Sequence, residues 1–168
     1  MVIAFILSYI LLVIDQLSKF LIFYFQPANA TIIPGFIKFN TVFNKGAAFS
    51  FMDNNTLFLA IISTVASIAV GYIIVKHGSF KDKKLFTFSL CLILAGAFGN
   101  LIDRYFTVFG LLEGVVDFID MYLFGWHFPG TFNVADMYLV IGVILLVIDI
   151  LFFQDKRQES GERVREKN

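Results

Sequence analysis

Thr56-Leu-Phe-Leu-Ala-Ile-Ile-Ser-Thr-Val-Ala-Ser-Ile-Ala-Val-Gly-Tyr-Ile-Ile-Val75, then Lys76-His-Gly-Ser-Phe-Lys-Asp-Lys-Lys84, then Leu85-Phe-Thr-Phe-Ser-Leu-Cys-Leu-Ile-Leu-Ala-Gly-Ala-Phe-Gly-Asn-Leu-Ile102 decide the fold. Crossing about 30 Å of hydrocarbon takes roughly 20 apolar residues in a helix. Both long runs meet that demand closely and carry no charge, while the short link between them carries four lysines, Lys76, Lys81, Lys83 and Lys84. Two apolar helices parted by a basic link read as a pair of membrane spans with the link on the cytoplasmic side.

Working outward, Val2 to Phe25 and Asp136 to Phe153 supply two more runs of spanning length. The first lacks the positive n-region and small-residue cleavage site of a secretory leader, so it reads as a retained span. The tail beyond residue 153 carries Lys156, Arg157, Arg163, Arg165 and Lys167, so nine of the 13 Lys and Arg fall on one side of a four-span chain. The expectation is an all-α integral membrane protein with four transmembrane helices, spans at about 2–25, 56–75, 85–102 and 136–153, and both termini cytoplasmic. One membrane domain covers 1–153, and the charged tail 154–168 is expected to be disordered.

Composition agrees. The chain is 58% hydrophobic and 15% charged, where soluble domains carry about 25% charged residues; its mean hydropathy is +0.81. A net charge of zero leaves no basic surface to follow a nucleic-acid backbone. One cysteine, Cys91, excludes an internal disulfide and reads as helix packing, while His77 and His127 are isolated, so no metal and no cofactor is expected.

The connections 26–55 and 103–135 then face outward. Ile32 to Phe43 is rich in β-branched and aromatic residues and predicts short strands, a small extracytoplasmic sheet or cradle at the membrane surface. Asn44-Lys-Gly-Ala-Ala-Phe49 reads as a turn into small residues, and Tyr122, Trp126 and Tyr138 as interfacial anchors.

Polar residues from separate segments converge at this outer level. Asp15 lies about 21 Å along the first helix and can meet Lys19 at i+4. Asn44, Asn100, Asp103, Arg104, Asp117 and Asp136 approach from the other elements. Ionisable groups at a membrane boundary are costly and need a reason. Two acids that share a proton, Asp117 and Asp136, are the minimal equipment for metal-free peptide hydrolysis. Each residue also has a plainer role. Asp136 could cap the fourth helix, Asp117 could be a loop acid, and Asp103 with Arg104 could form a surface ion pair. Asp15 with Lys19 could only lock helix packing, and Asp149 could simply reach the interface. Arg104 near the two acids would favour their double ionisation, so it is expected to bond backbone. On these residues alone a proton-coupled carrier and a non-enzymatic membrane scaffold stay open beside the hydrolase.

Five blocks narrow this. Asp15-Gln-Leu-Ser-Lys19, Asn44-Lys-Gly-Ala-Ala-Phe49, Gly99-Asn-Leu-Ile-Asp-Arg104, Val115-Val-Asp117-Phe-Ile119 and Phe132-Asn-Val-Ala-Asp136, in this order, resemble the bacterial lipoprotein signal peptidases (signal peptidase II). The resemblance implies an aspartic endopeptidase of the bacterial inner membrane, with its active site at the periplasmic face. It would act on diacylglyceryl-modified prolipoproteins as a monomer among membrane lipids. It maps the catalytic pair onto Asp117 and Asp136, and supporting positions onto Asp15, Lys19, Asn44, Gly46, Asn100, Arg104, Asn133 and Ala135. The link Tyr105 to Gly114 is several residues longer than the family pattern and adds Glu113.

Overall fold

The computed structural model describes residues 1–25, 30–46 and 55–165, with only the backbone path described beyond residue 154. Four helices, α1 (Val2–Phe25), α2 (Thr56–His77), α3 (Lys84–Val108) and α4 (Val134–Arg165), alternate with four strands, β1 (Ala30–Ile33), β2 (Ile37–Asn44), β3 (Val115–Leu123) and β4 (Trp126–His127). Each helix contains a stretch long and apolar enough to cross a membrane. The strands form one antiparallel sheet in the order β1-β2-β3-β4. They follow α1 and α3, so the sheet lies at the end of the bundle opposite the Lys76–Lys84 link.

Helix α3 is the axis of the bundle. Of its spanning window 61% is buried inside the protein, against 22%, 22% and 17% for α1, α2 and α4. Its small residues explain this, because close approach of backbones is what holds helices together in a solvent of lipid chains. A Cβ on Gly96 would strike the carbonyl of Ala135 and stand 2.8 Å from Leu139, and a Cβ on Gly99 would collide with the carboxylate of Asp15. Cys91 fills the α1–α3 contact with Ala4, Leu90 and Leu94, its thiol 3.4 Å from the Ala4 carbonyl. Hydroxyls inside the spans turn back onto their own helices, Ser8 to Ala4, Thr64 to Ala60 and Ser67 to Ser63, which meets the demand that polar groups in lipid be satisfied internally.

Several boundaries differ from the sequence expectation. Helix α3 runs past Ile102 to Val108, so the first four residues of the long link are helical, held to α2 by the Tyr105 and Thr64 hydroxyls at 3.0 Å. Helix α4 begins at Val134, and where a disordered tail is expected its backbone stays helical to Arg165. The Gln, Lys, Arg and Glu residues of that segment are good helix formers and continue a helix already nucleated. The segment around Asp117, read as a possible loop, is strand β3, paired Val42↔Asp117 with β2. Asp149 is fully buried within the protein rather than exposed. Ala47 to Phe49 lie outside the described residues.

Gly99→Ala tests one of the two tightest approaches on α3. The methyl must displace the Asp15 carboxylate, and overpacking of this kind costs about 1–3 kcal/mol. A clear fall in the detergent-solubilised thermal midpoint is expected, with Phe98→Ala, on an exposed side chain, as the near-neutral control.

Candidate active site

The site is built on one buried ammonium. Lys19 Nζ lies 3.2 Å from Asp15 Oδ2, 3.0 Å from Asp103 Oδ2 and 3.0 Å from Asn100 Oδ1, with the Lys19 side chain 4% exposed. An ammonium has three protons, and here each finds an acceptor. The i,i+4 spacing on α1 brings Asp15 to Lys19, and the i,i+3 spacing on α3 puts Asn100 and Asp103 on one face. Gln16 closes the cluster, its amide donating to Asp15 Oδ2, the Gly99 carbonyl and Asp103 Oδ1 at 3.0, 3.1 and 3.4 Å.

From this cluster two carboxylates reach other elements. Asp15 Oδ1 accepts the backbone N–H of Ala135 at 2.8 Å, at the start of α4, where a negative charge meets the positive end of the helix dipole. Asp103 Oδ2 accepts the N–H of Val116 at 3.2 Å and so ties β3 to α3. Asp103 and Arg104 are therefore not a surface ion pair. Asp103 is buried against Lys19, and Arg104 turns to α2, donating from Nη1 to Ser63 Oγ at 2.9 Å rather than to backbone.

Helix α4 opens with a reciprocal cap. Asn133 Oδ1 accepts the N–H of Asp136 at 3.0 Å, and Asp136 Oδ2 accepts the N–H of Asn133 at 3.1 Å. This is the capping-box pattern with its acid three residues on. The capping role weighed for Asp136 is thus real, but it uses one carboxylate oxygen; Oδ1 accepts Asn100 Nδ2 at 2.7 Å.

Three asparagines fix the surroundings of both acids, and each amide orientation follows from an obligate donor. Asn133 must turn its oxygen to the Asp136 N–H, so its Nδ2 donates to Asp117 Oδ1 at 2.6 Å and to Asn100 Oδ1 at 3.1 Å. Asn44 must turn its oxygen to the Gly46 N–H at 2.9 Å, so its Nδ2 donates to Asp117 Oδ2 at 3.0 Å. Asn100 accepts from the Lys19 ammonium, so its Nδ2 faces Asp136. The flip ambiguity of an amide is removed wherever its oxygen faces a group that can only donate.

Asp117 and Asp136 open onto one cavity of about 690 Å³, which Asn44, Asn100 and Arg104 also line. Its remaining wall is apolar, with Met121, Phe128 and Phe132 on one side and Met137, Val140 and Ile141 of α4 on the other. Asp117, 3% exposed, has its carboxyl raised from 3.8 to about 7, first by burial and then by the charge of Asp136. The Asn44 and Asn133 amides and the Lys19 charge oppose that rise without cancelling it. A carboxyl poised near neutrality beside a second acid can both hold and release a proton at working pH.

All ten residues singled out in the sequence belong to this network or its rim. Ala135 contributes its N–H, and Gly46 the N–H that orients Asn44. Sequence reasoning missed Gln16, Asp103 as the second carboxylate on Lys19, and Ser63. The first two had a signal, because Gln16 adjoins Asp15 and Asp103 lies one helical turn from Asn100; Ser63 had none. His127, read as isolated, bonds Asp120 Oδ1 through Nε2 at 2.5 Å and stacks on Tyr122.

Known proteins carry the same arrangement of sequence and fold. Residues 7–152 match the family model for signal peptidase (SPase) II. A lipoprotein signal peptidase of Janthinobacterium sp. (strain Marseille) is 38% identical over 149 residues, covering 84% of this chain and 84% of its own length. That of Burkholderia vietnamiensis (strain G4 / LMG 22486) is 39% identical over 152 residues, 86% and 85% of the two chains. Two solved bacterial membrane enzymes superpose with TM-scores of 0.78 and 0.77 at 33% and 32% identity. The superpositions cover 90% and 92% of this chain and 88% and 96% of theirs. With four membrane-spanning helices and relatives of this similarity along most of its length, the chain belongs to the signal peptidase II family of membrane peptidases.

Proposed function

We propose that this protein is an aspartic endopeptidase that removes the signal peptide of diacylglyceryl-modified prolipoproteins, cutting before the lipidated cysteine. The observation that carries the reading is the Asp117–Asp136 pair, two carboxylates bridged by Asn133 on the wall of one cavity, with Asp117 raised to about 7.

Peptide hydrolysis without a metal needs a more basic water and a more electrophilic carbonyl. At neutral pH the pair holds one proton, since the buried Asp117 carboxyl resists ionising beside the charge of Asp136. The ionised member takes a proton from the attacking water, and the protonated member donates toward the carbonyl oxygen as the tetrahedral intermediate forms. As the C–N bond breaks, the proton taken from water passes to the leaving amine and the proton lent to the carbonyl oxygen returns to the pair. The coupled pair acts as a unit, with no fixed division into acid and base. Arg104 lines the cavity and donates from Nη1 to Ser63, which leaves further guanidinium donors for a substrate carbonyl. Asn44, Asn100 and Asn133 hold the carboxylates in register.

The apolar wall suits the substrate class. Val140 and Ile141 line the cavity and are also exposed on the flank of α4, so a lipidated cysteine can reach the pair while its acyl chains stay in the bilayer. Burial at about 0.8 kcal/mol per CH₂ positions the scissile bond. The basic link and tail support a reading with both termini in the cytoplasm of a bacterial cell and the site at the outer face of its inner membrane. One chain carries the whole site, so a monomer suffices.

Cleavage of a diacylglyceryl precursor peptide is the direct test. Asp117→Asn and Asp136→Asn should each lose turnover by about three orders of magnitude or more while the protein inserts and keeps its thermal midpoint within a few degrees. Activity retained in either variant removes that residue from the chemistry.

The pH profile follows from Asp117. The folded state holds this proton more tightly than the unfolded chain, so fold stability falls as pH rises from 3.8 to about 7. Above about 7 the donor is lost, and kcat/KM should decline along a basic limb centred there. A rate flat to pH 9 contradicts a shared proton.

Unlipidated precursor should show a far higher KM than its lipidated form. Equal kcat/KM for the two would remove the lipid from recognition.

A further inference from the structure

We propose that His127 is a positioning residue: bonded to Asp120, it latches segment 128–132 in place as a substrate-facing wall of the cavity. For what enters the cavity this rests on the peptidase reading; what holds the wall is a property of the sheet alone.

Segment 128–132 runs from the end of β4 to Asn133, and all five of its residues line the cavity. Its two ends are held unequally. At the far end Phe132 is bound to β3 by three backbone hydrogen bonds. Its N–H donates to the Ile119 carbonyl at 3.1 Å, and its carbonyl accepts from Phe118 and Ile119 at 3.1 and 2.8 Å. At the near end the Phe128 N–H donates to the Met121 carbonyl at 2.9 Å. That end follows a strand of two residues, paired Tyr122↔His127 and Leu123↔Trp126. Between the ends Pro129 has no N–H to give, and the Gly130 N–H turns back on the Phe128 carbonyl at 2.9 Å. Strands are usually about 5–6 residues long, so the register of one this short depends on its side chains.

The side chains supply the hold. Phe124 and Gly125, with φ of 49° and 82°, give the pair of positive angles that a tight hairpin needs. The turn sets His127 opposite Tyr122, with Asp120 on the diagonal. The imidazole stacks on the Tyr122 ring at 4.6 Å and meets Asp120 Oδ1 through Nε2 at 2.5 Å. The Tyr122 hydroxyl donates to Oδ2 of the same carboxylate at 3.2 Å. A carboxylate only accepts, so Nε2 of His127 carries the proton. Asp120 is buried, and a buried oxygen that loses its donor is left unsatisfied at a cost. Lys38, its register partner on β2, holds its ammonium 4.7 Å from the Tyr122 ring.

The latch stands behind the wall. Side chains alternate across a strand, and Val115, Asp117 and Met121 of β3 line the cavity, which puts Asp120 and Tyr122 on the opposite face. His127 therefore acts through the backbone: it holds β4, and β4 delivers Phe128. Asn133, which bridges the two acids, lies beyond Phe132 and its three bonds. Releasing the latch frees the Phe128 end while Phe132 and the acids keep their places. The loss falls on substrate binding and spares the chemical step.

Cleavage of the diacylglyceryl precursor peptide by the full-length protein, with amide hydrogen exchange on the same samples, tests this. The His127 side chain is 53% exposed, so its replacement leaves the bundle intact. His127→Phe keeps a ring over Tyr122 and removes the donor; His127→Gln restores a donor near the Nε2 position without the ring. His127→Phe should raise KM about tenfold, through loss of a charge-assisted hydrogen bond, with kcat close to that of the parent. His127→Gln should return KM most of the way to the parent value. Exchange at the Phe128 amide should quicken about tenfold in His127→Phe, as expected of a local opening, while Phe118, Ile119 and Phe132 keep their protection. An unchanged KM in His127→Phe overturns the proposal, and so does a His127→Gln variant as impaired as His127→Phe. A fall in kcat at constant KM also overturns it, because that places the effect on the acids. Should the parent leave the peptide uncut, the peptidase reading fails, and the latch stands or falls on the Phe128 exchange alone.

Discussion

The ammonium of Lys19 holds the structure together at the level where membrane and sheet meet. It sits between carboxylates of α1 and α3 and also bonds Asn100. Those same carboxylates grip the first turn of α4 and the start of β3 through backbone N–H groups. Two helices, a strand and a helix N-terminus are thus referred to one charge. Burying an ion pair gains little by itself, but removing one partner leaves an uncompensated charge at a cost of about 3–5 kcal/mol. The arrangement fixes geometry more than it adds stability, and the geometry it fixes is that of Asp117 and Asp136.

Each of those acids sits on a different kind of element. Asp117 is in a strand whose position is set by β2 and Asp103, and Asp136 is in the first turn of a helix set by Asp15 and Asn133. Asn133 spans the two, bonding Asp117 with its amide and Asp136 with its cap. A small displacement of α4 against α3 would part the pair, which explains why glycines stand where α3 meets Asp15 and Ala135. Precision at the site depends on close helix approach lower in the bundle.

Burial and donors act on Asp117 in opposite directions. Burial and the charge of Asp136 raise its carboxyl, and two asparagine amides with Lys19 restrain it at about 7. Burial without donors would raise the Asp117 carboxyl further, and donors without burial would hold it ionised at neutral pH. The site lies between these limits because a largely apolar cavity opens beside Asp117 while the Asn44 and Asn133 amides donate to its two oxygens.

The sequence by itself determined the membrane class, four runs of spanning length, the strand-forming first connection and two acids that the structure brings to one cavity. Run length, hydropathy and the i,i+4 or i,i+3 spacing of Asp15 with Lys19 and Asn100 with Asp103 are local properties. The five ordered blocks named the supporting residues, though not what each one bonds. Only the tertiary structure decided that Asp117 lies in a strand, because β3 exists by pairing with β2 from the other connection. It alone joined Asp103 to Lys19, sent Arg104 to Ser63, and brought the exposed ends of two distant hairpins together. These are contacts between residues far apart in the chain, fixed by how helices of lipid-compatible surface pack through their small residues, and no period or motif in the sequence encodes them.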